Sequence, residues 1–170
     1  MTKSEIRTLS VSKLGLDNNS ILYDVGAGTG SVSVAAALLC PDIKVYAIEK
    51  SMDAVELIKA NKIKFCSDNI EIVEGEASAA LDNIVENPTH VFIGGSGGRM
   101  SDIVSKIINK NETARFVVNA VTPETLSETL KVCEMYNRVP DIVQIFAAKG
   151  EKIGNSTIMK ALNPVYIISF

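Results

Sequence analysis

The sequence of 170 residues contains no tryptophan, and aromatic residues make up only 5% of it. Nucleic-acid bases stack on aromatic side chains, so this chain has few residues that could bind bases in that way. An excess of positive charge is also missing, because 17 lysine and arginine residues are outnumbered by 20 aspartate and glutamate residues. The composition argues against a general nucleic-acid binder, and we expect no nucleic-acid partner.

Cysteine is scarce and scattered. Cys40, Cys66 and Cys133 are odd in number and far apart, which matches neither a disulfide framework nor the spacing of metal ligands. We therefore expect a reducing, cytoplasmic environment and no metal site. The sequence has no apolar run approaching about 18 residues and no basic-then-apolar opening segment, so we expect no membrane association.

The residues that are present suffice for one packed domain over residues 1–170, since hydrophobic residues make up 46% of the chain. Apolar runs of strand character alternate with helical patterns, and two strands with no helix between them end the chain. This order predicts an α/β fold with a doubly wound, mostly parallel sheet of seven strands, one of them antiparallel. The predicted strands cover residues 21–25, 44–48, 70–74, 90–93, 115–121, 142–148 and 165–170.

Short signals predict how several of these elements begin and end. Thr2 and Glu5 have the spacing of a capping box, which predicts that Thr2 opens the first helix. Gly15 is placed to end that helix. Thr122, which is followed by proline, predicts the start of another helix. A polar loop that includes residues 150–155 is expected to join the last two strands.

The most informative pattern is a glycine turn after the first predicted strand. That strand ends in Asp24 and Val25, and the run Gly26-Ala27-Gly28-Thr29-Gly30 leads directly into a helix of small residues. Glycines let the backbone approach a ligand with no side chain in the way. The second predicted strand ends in Glu49, whose carboxylate is placed to accept two ribose hydroxyls. Together these signals predict a nucleoside-bearing ligand at the carboxyl ends of a parallel sheet.

The spacing of the glycines indicates which nucleoside. The dinucleotide fingerprint G-x-G-x-x-G would need glycine at Ser31, whereas the chain has G-x-G-x-G preceded by Asp24. That pattern resembles motif I of the class I S-adenosylmethionine methyltransferases. A sulfonium ligand is positively charged, which suits Asp24, whereas a pyrophosphate favours an unobstructed helix N-terminus. A dinucleotide site and a tight turn with no ligand remain the alternatives.

A second glycine-rich run, Gly94-Gly95-Ser96-Gly97-Gly98, follows the fourth predicted strand. Five consecutive small residues cost chain entropy that a simple turn need not incur, which favours a flat backbone surface against a large planar ligand. A plain strand-to-helix turn is the alternative. The run resembles the glycine loop of the cobalt-precorrin-6B C15-methyltransferases (decarboxylating) of cobalamin biosynthesis. Further segments resemble that family in the same order, namely residues 1–7, 23–32, 47–50, 118–122 and 163–165.

The resemblance implies a Rossmann-like class I methyltransferase fold, S-adenosylmethionine as cofactor, and a reaction. Family members methylate C15 of a cobalt-containing, corrin-type tetrapyrrole and remove the carboxyl of its C12 acetate. The sequence assigns no catalytic residue, because methyl transfer from a sulfonium mainly requires positioning. Cofactor contacts are expected from Thr2, Asp24, Gly26, Ala27, Gly28, Thr29, Gly30, Glu49 and Ala77, with Asp24 included for its charge.

The implied substrate carries many carboxylates, so cations are expected to line its pocket. Arg99, directly after the glycine loop, is the first candidate. Lys3, Arg7, Lys149 and Lys152 come next. The expected substrate-binding residues are Gly94, Gly95, Ser96, Gly97, Gly98 and Arg99.

The resemblance also implies a homotetramer, and a C5-methyltransferase domain that is fused to the chain or associated with it. Two other functions remain open from the sequence. One is a class I methyltransferase that acts on another small molecule or on RNA. The other is a non-catalytic module that keeps a nucleoside site.

Overall fold

The computed structural model describes residues 2–170 and forms a sheet with helices on both of its faces. The helices are α1 (Ser4–Leu14), α2 (Ser31–Leu39), α3 (Met52–Lys64), α4 (Ala77–Asp82), α5 (Met100–Lys110) and α6 (Pro123–Met135). The strands are β1 (Ile21–Val25), β2 (Lys44–Glu49), β3 (Ile70–Glu74), β4 (His90–Ile93), β5 (Arg115–Ala120), β6 (Asp141–Ile145), β7 (Ala148–Ile153), β8 (Ser156–Ala161) and β9 (Val165–Ser169).

The main sheet has seven strands in the order β3-β2-β1-β4-β5-β9-β6. The first five are parallel, and β9 runs antiparallel to both β5 and β6. The predicted α/β class, strand number and single antiparallel strand are therefore confirmed. The strand order reverses between β1 and β4, and in open α/β sheets ligands bind at the carboxyl ends of the strands beside such a switch point.

Alternation along the buried strands divides the core into two layers. Tyr23 and Val25 of β1 face α4, α5 and α6, whereas Leu22 faces α1, α2 and α3. Both layers contain fully buried large side chains, such as Phe116 in the first and Phe92 in the second. Each such side chain contributes about 1.5–3 kcal/mol on burial, so the sheet is a rigid platform for the loops at its edge.

Two of the predicted helix ends are confirmed and one is wrong. Gly15 ends α1 in the left-handed conformation, with φ 67°. Thr122 begins α6 and accepts a hydrogen bond from the Thr125 amide at 3.2 Å. At the start of α1, however, Lys3 is the N-cap residue and no side chain caps the helix. Thr2 lies before the helix, so the predicted capping box does not form.

The predicted polar loop before β9 is a β-hairpin instead. Strands β7 and β8 pair in an antiparallel fashion around the two residues Gly154 and Asn155, and Gly154 has φ 60°. A glycine at the first position of a two-residue turn favours a hairpin, because its left-handed conformation matches the twist of the strands. Every residue of both strands is exposed, including Ile158 and Met159. No helix of the described chain is long and apolar enough to cross a membrane.

Candidate functional site

The first glycine turn connects β1 to α2 and is fastened to β2. Gly26, Gly28 and Gly30 have φ angles of 70°, 58° and 69°, a region that residues with a side chain rarely adopt. The amides of Gly26 and Ala27 both donate to the carbonyl of Ile48, at 3.0 and 3.1 Å. The path of the turn therefore depends on glycine and on the end of β2.

The second glycine-rich run, after β4, packs against the first. A Cβ on Gly26 would lie 2.7 Å from the carbonyl oxygen of Gly95, and one on Gly94 would lie 3.3 Å from the carbonyl oxygen of Gly26. The amide of Gly94 donates to Val25 at 3.0 Å. The absence of side chains at Gly26 and Gly94 therefore permits the close approach of the two loops.

Glu49 ends β2 at the edge of the sheet, where three backbone amides hold its carboxylate. Gly28 donates to Oε2 at 2.8 Å, and Lys50 and Ser51 each donate to Oε1 at 2.9 Å. The side chain thus points at the glycine turn and away from the hydrophobic core. A carboxylate oxygen accepts more than one hydrogen bond, so Oε2 keeps an acceptor position for a ligand hydroxyl.

A cavity of about 240 Å³, called here the Glu49 cavity, opens at the ends of β1, β2, β3 and β4. Its walls include three of the predicted cofactor residues, Gly26, Glu49 and Ala77. The middle of the second glycine run, which was predicted to bind substrate, also lines it. The lining residues are Gly26, Ile48, Glu49, Lys50, Gly75, Glu76, Ala77, Gly95, Ser96 and Gly97.

A second cavity of about 300 Å³, called here the Asn119 cavity, lies between the start of α1, the end of β5 and the start of β9. The predicted cofactor residue Thr2 lies here and not in the Glu49 cavity. Gly94 also lines it, and the backbone of Gly94 lies against Gly26, so the two cavities flank the paired glycine loops. The lining residues are Thr2, Lys3, Ile6, Gly94, Asn119, Val121, Ala147, Leu162, Asn163 and Val165.

Asp24 is completely buried beneath the glycine turn. Its Oδ2 accepts hydrogen bonds from the amide of Ser33, at 3.0 Å, and from the Ser33 hydroxyl. Burial raises the pKa of Asp24 to about 6, and the nearby charge of Glu49 adds to that, whereas the Ser33 hydrogen bonds oppose it. Asp24 therefore supports the first turn of α2 from inside the protein, instead of presenting its carboxylate at the surface.

Other residues of the first glycine turn are differently placed. Gly28 has no atom within 4 Å of the position that a Cβ would occupy, so this part of the turn is open. Ala27 packs against the core layer of α1, α2 and α3. The carbonyl of Thr29 accepts a hydrogen bond from the Asn61 side chain on α3 at 2.9 Å, which secures the far end of the turn.

The predicted basic residues are spread over several places. Arg99 is 4.0 Å from Glu76, which also lies 3.5 Å from Lys50, so these three charges meet at the rim of the Glu49 cavity. Gly98 and Arg99 also line a groove between α5 and α6. Lys3 lines the Asn119 cavity. Of the rest, Lys149 pairs with Glu5 at 3.3 Å, Lys152 is exposed on the hairpin, and Arg7 is half-buried on α1.

Asn119 was not among the site residues predicted from the sequence. It is a polar residue near the end of the otherwise apolar buried run of β5, and it lines a cavity. A polar side chain buried in such a run costs free energy unless it has partners, and that is the signal that could have found it. Within residues 2–170, no group of three or more histidine, cysteine, aspartate or glutamate side chains is arranged to hold a metal ion.

Comparison with known protein families gives a match over residues 1–170 to the model described as the precorrin methyltransferase domain. Among curated proteins, probable cobalt-precorrin-6B C(15)-methyltransferases (decarboxylating) are similar to this chain. The protein from Sulfurisphaera tokodaii is 38% identical over 169 residues, covering 99% of this chain and 88% of its own length. The protein from Saccharolobus solfataricus is 39% identical over 175 residues, covering 99% of this chain and 87% of its own length.

Solved structures agree with the sequence matches. A precorrin-6y C5,15-methyltransferase from Geobacter metallireducens superposes with a TM-score of 0.93 at 34% identity, over 99% of this chain and 87% of its own. The precorrin 8W decarboxylase of Methanobacterium thermoautotrophicum has a TM-score of 0.91 at 29% identity, over 99% and 90% of the two chains. The resemblance found in the sequence is thereby confirmed, and the chain belongs to the precorrin methyltransferase family.

Proposed function

We propose that this protein transfers the methyl group of S-adenosylmethionine to C15 of cobalt-precorrin-6B and removes the carboxyl of the C12 acetate. The observation that carries the proposal is the Glu49 carboxylate, which three backbone amides hold beside a glycine turn at the switch point of the sheet. The names of the relatives at 38% and 39% identity supply the reaction.

Each of the two cavities binds one part of the methyl donor. The Glu49 cavity receives the adenosine part, with the ribose at Glu49 Oε2 and the base toward Ala77. The methionine part crosses the paired glycine loops toward Thr2 in the Asn119 cavity. The left-handed glycines suit this path, because they keep side chains out of the space above the turn.

Positioning is the main chemical task of these residues. Bound S-adenosylmethionine supplies an electrophilic methyl group whose leaving group is a neutral thioether. Neither histidine nor cysteine is among the residues that line the two cavities. The lining residues are therefore better suited to orienting the two reactants than to transferring protons. Rigid loops on a buried sheet hold the donor and acceptor in line, which is the geometry that a displacement requires.

The cations beside the cavities bind the carboxylates of the tetrapyrrole. Lys3 lines the Asn119 cavity, and Arg99 is 55% exposed at the rim of the Glu49 cavity. Both are therefore accessible to a large ligand that covers the glycine loops. Glu76 lies between Lys50 and Arg99, and it holds their side chains near the cavity until substrate carboxylates compete for them.

The reaction is tested with S-adenosylmethionine that carries a labelled methyl group and with cobalt-precorrin-6B. We expect label in the tetrapyrrole and release of carbon dioxide. Glu49→Ala should slow the transfer, whereas Glu134→Ala, which removes an exposed glutamate on α6, should not. Failure of the native protein to label any tetrapyrrole would refute the proposal.

The protein also forms a homotetramer, and the β7–β8 hairpin is its contact surface. An isolated two-stranded hairpin is marginal in water, yet this one exposes Ile153, Ile158 and Met159. A partner subunit that covers these side chains would stabilise it.

The three cysteines are free thiols, which suits a reducing cytoplasm. A C5-methyltransferase domain is a further partner, fused or associated, and residues 1–170 work as one domain beside it.

A further inference from the structure

Asn119 lines the Asn119 cavity and carries an unpaired, buried polar atom in its side chain. The residue is only 9% exposed. Its Oδ1 lies 3.0 Å from the hydroxyl of Ser10, which in turn lies 2.8 Å from the carbonyl of Ile6. Its Nδ2 has no hydrogen-bond partner among residues 2–170. Buried polar side chains are nearly always paired, so the unpaired atom points to a ligand.

Counting protons favours one orientation of the Asn119 amide. Ser10 has a single hydroxyl proton and cannot donate it to both Ile6 and an Asn119 carbonyl oxygen. A rotation of the amide by about 180° exchanges its oxygen and nitrogen. Asn119 then donates to Ser10, and Ser10 donates to Ile6, so that each contact has one proton. The atom left unpaired is the carbonyl oxygen of Asn119, which is a hydrogen-bond acceptor.

Gly94 lies next to Asn119 at the end of the sheet. In the sheet, Ile93 of β4 pairs with Val118 of β5, so the next residues along the two strands, Gly94 and Asn119, are neighbours. Both line the cavity. Gly94 also lies against Gly26, so a ligand that crosses the glycine loops reaches Asn119 next.

We propose that Asn119, oriented by Ser10, accepts a hydrogen bond from the α-ammonium group of S-adenosylmethionine, an inference that rests on the proposed function. The tetrapyrrole is a poor alternative partner, because its peripheral carboxylates are acceptors and would be repelled by a carbonyl oxygen. The ammonium group is a charged donor, and hydrogen bonds to charged groups are among the stronger ones in proteins. Asn119 is therefore a residue that binds the methyl donor, and Ser10 is a residue that positions Asn119.

The test compares two ligands by calorimetry. One is S-adenosylhomocysteine, and the other is its analogue in which hydrogen replaces the α-amino group. The native protein should bind the analogue about tenfold more weakly. Asn119→Leu should bind S-adenosylhomocysteine about tenfold more weakly and the analogue with unchanged affinity. Thr129→Val removes a buried hydroxyl on α6, away from both cavities, and should change neither affinity.

Two further variants separate an acceptor from a donor at this position. Asn119→Asp keeps an oxygen in place, so S-adenosylhomocysteine should bind as well as or better than it binds the native protein. If the free atom were instead an N–H that donates to the ligand carboxylate, Asn119→Asp would weaken the binding of both ligands, since both carry a carboxylate. Ser10→Ala should reduce the preference for the amino-bearing ligand, because nothing then fixes the amide. A purely structural role for Ser10 would weaken the two ligands equally.

The outcomes distinguish this assignment from the proposed function. If Asn119→Leu binds S-adenosylhomocysteine normally but has a raised KM for the tetrapyrrole, Asn119 serves the substrate and the assignment is wrong. If the native protein binds neither nucleoside, the proposed function itself fails. Should Asn119→Leu not fold, the native ligand preference and the Asn119→Asp variant still decide.

Discussion

Removal of the Glu49 carboxylate gives the sharpest check on where the ribose lies. In Glu49→Ala, the amides of Gly28, Lys50 and Ser51 lose their acceptor. Lys50 and Ser51 are exposed, so water replaces the carboxylate there and folding loses little. The ribose hydroxyls lose a partner that the cavity does not replace, at about 1–3 kcal/mol. That range corresponds to roughly 5- to 150-fold weaker donor binding.

Calorimetry with S-adenosylhomocysteine measures this loss directly, and thermal unfolding followed by circular dichroism checks that the fold is intact. Glu134→Ala removes an exposed glutamate of α6 and serves as the matched control. We expect the control to keep the affinity of the native protein. A folded Glu49→Ala protein with undiminished affinity would refute the placement of the ribose.

Glutamine should not replace Glu49. The two carboxylate oxygens each accept from backbone amides, Oε2 from Gly28 and Oε1 from Lys50 and Ser51. Either orientation of a glutamine side chain turns its amino group toward one of these donors. Glu49→Gln should therefore bind the nucleoside no better than Glu49→Ala, and recovery of affinity in the glutamine variant would contradict this account of the carboxylate.

Three further predictions concern the fold. Gly26→Ala should lower the free energy of unfolding in urea more than Gly28→Ala, because both positions have positive φ but only the first Cβ would meet a backbone atom, at 2.7 Å. Because burial raises the pKa of Asp24 to about 6 from an unfolded value of 3.8, the native state binds more protons than the unfolded state between those pH values. The free energy of unfolding of the native protein should then fall, relative to that of Asp24→Asn, as the pH rises from about 4 to 6. Above about pH 6 the difference between the two proteins should stay constant. Ile158→Lys should reduce the mass measured by light scattering, since a charge would enter the proposed subunit contact.

A specific result would contradict each of these three predictions. Equal losses for Gly26→Ala and Gly28→Ala would mean that the two glycine loops can separate without cost. A pH-independent difference between the native protein and Asp24→Asn would mean that Asp24 does not titrate in this range. An unchanged mass for Ile158→Lys would place the subunit contact elsewhere.

The fold was predictable because its signals are local. The strand His90–Ile93, for example, was predicted with the bounds that it has, since a short apolar run precedes a glycine-rich segment. The β7–β8 hairpin was missed because all its residues are exposed, so the alternation of buried and exposed residues that reveals a strand is absent. The Gly154-Asn155 pair is the available signal, and on its own it is compatible with a loop as well as with a hairpin.

The site was predictable only in part, since some of its features depend on distant residues. Glu49 and the glycine turn stand out because spacing along the chain fixes both. The contact between Ser10 and Asn119 joins residues 109 positions apart, which no local pattern reveals. The division of residues 94–97 between two cavities likewise depends on how the loop after β4 packs against Gly26.

The contact between the two glycine loops has a consequence for how such proteins diverge. Because a Cβ on Gly26 would lie 2.7 Å from the carbonyl oxygen of Gly95, and one on Gly94 would lie 3.3 Å from the carbonyl oxygen of Gly26, a larger residue at Gly26 or Gly94 requires the backbone of the other loop to shift. A substitution at Gly26 or Gly94 should therefore be accompanied during evolution by changes that alter the path of the other loop. Chimeras made with a relative should accordingly work when both loops are exchanged as a cassette and fail when only one is.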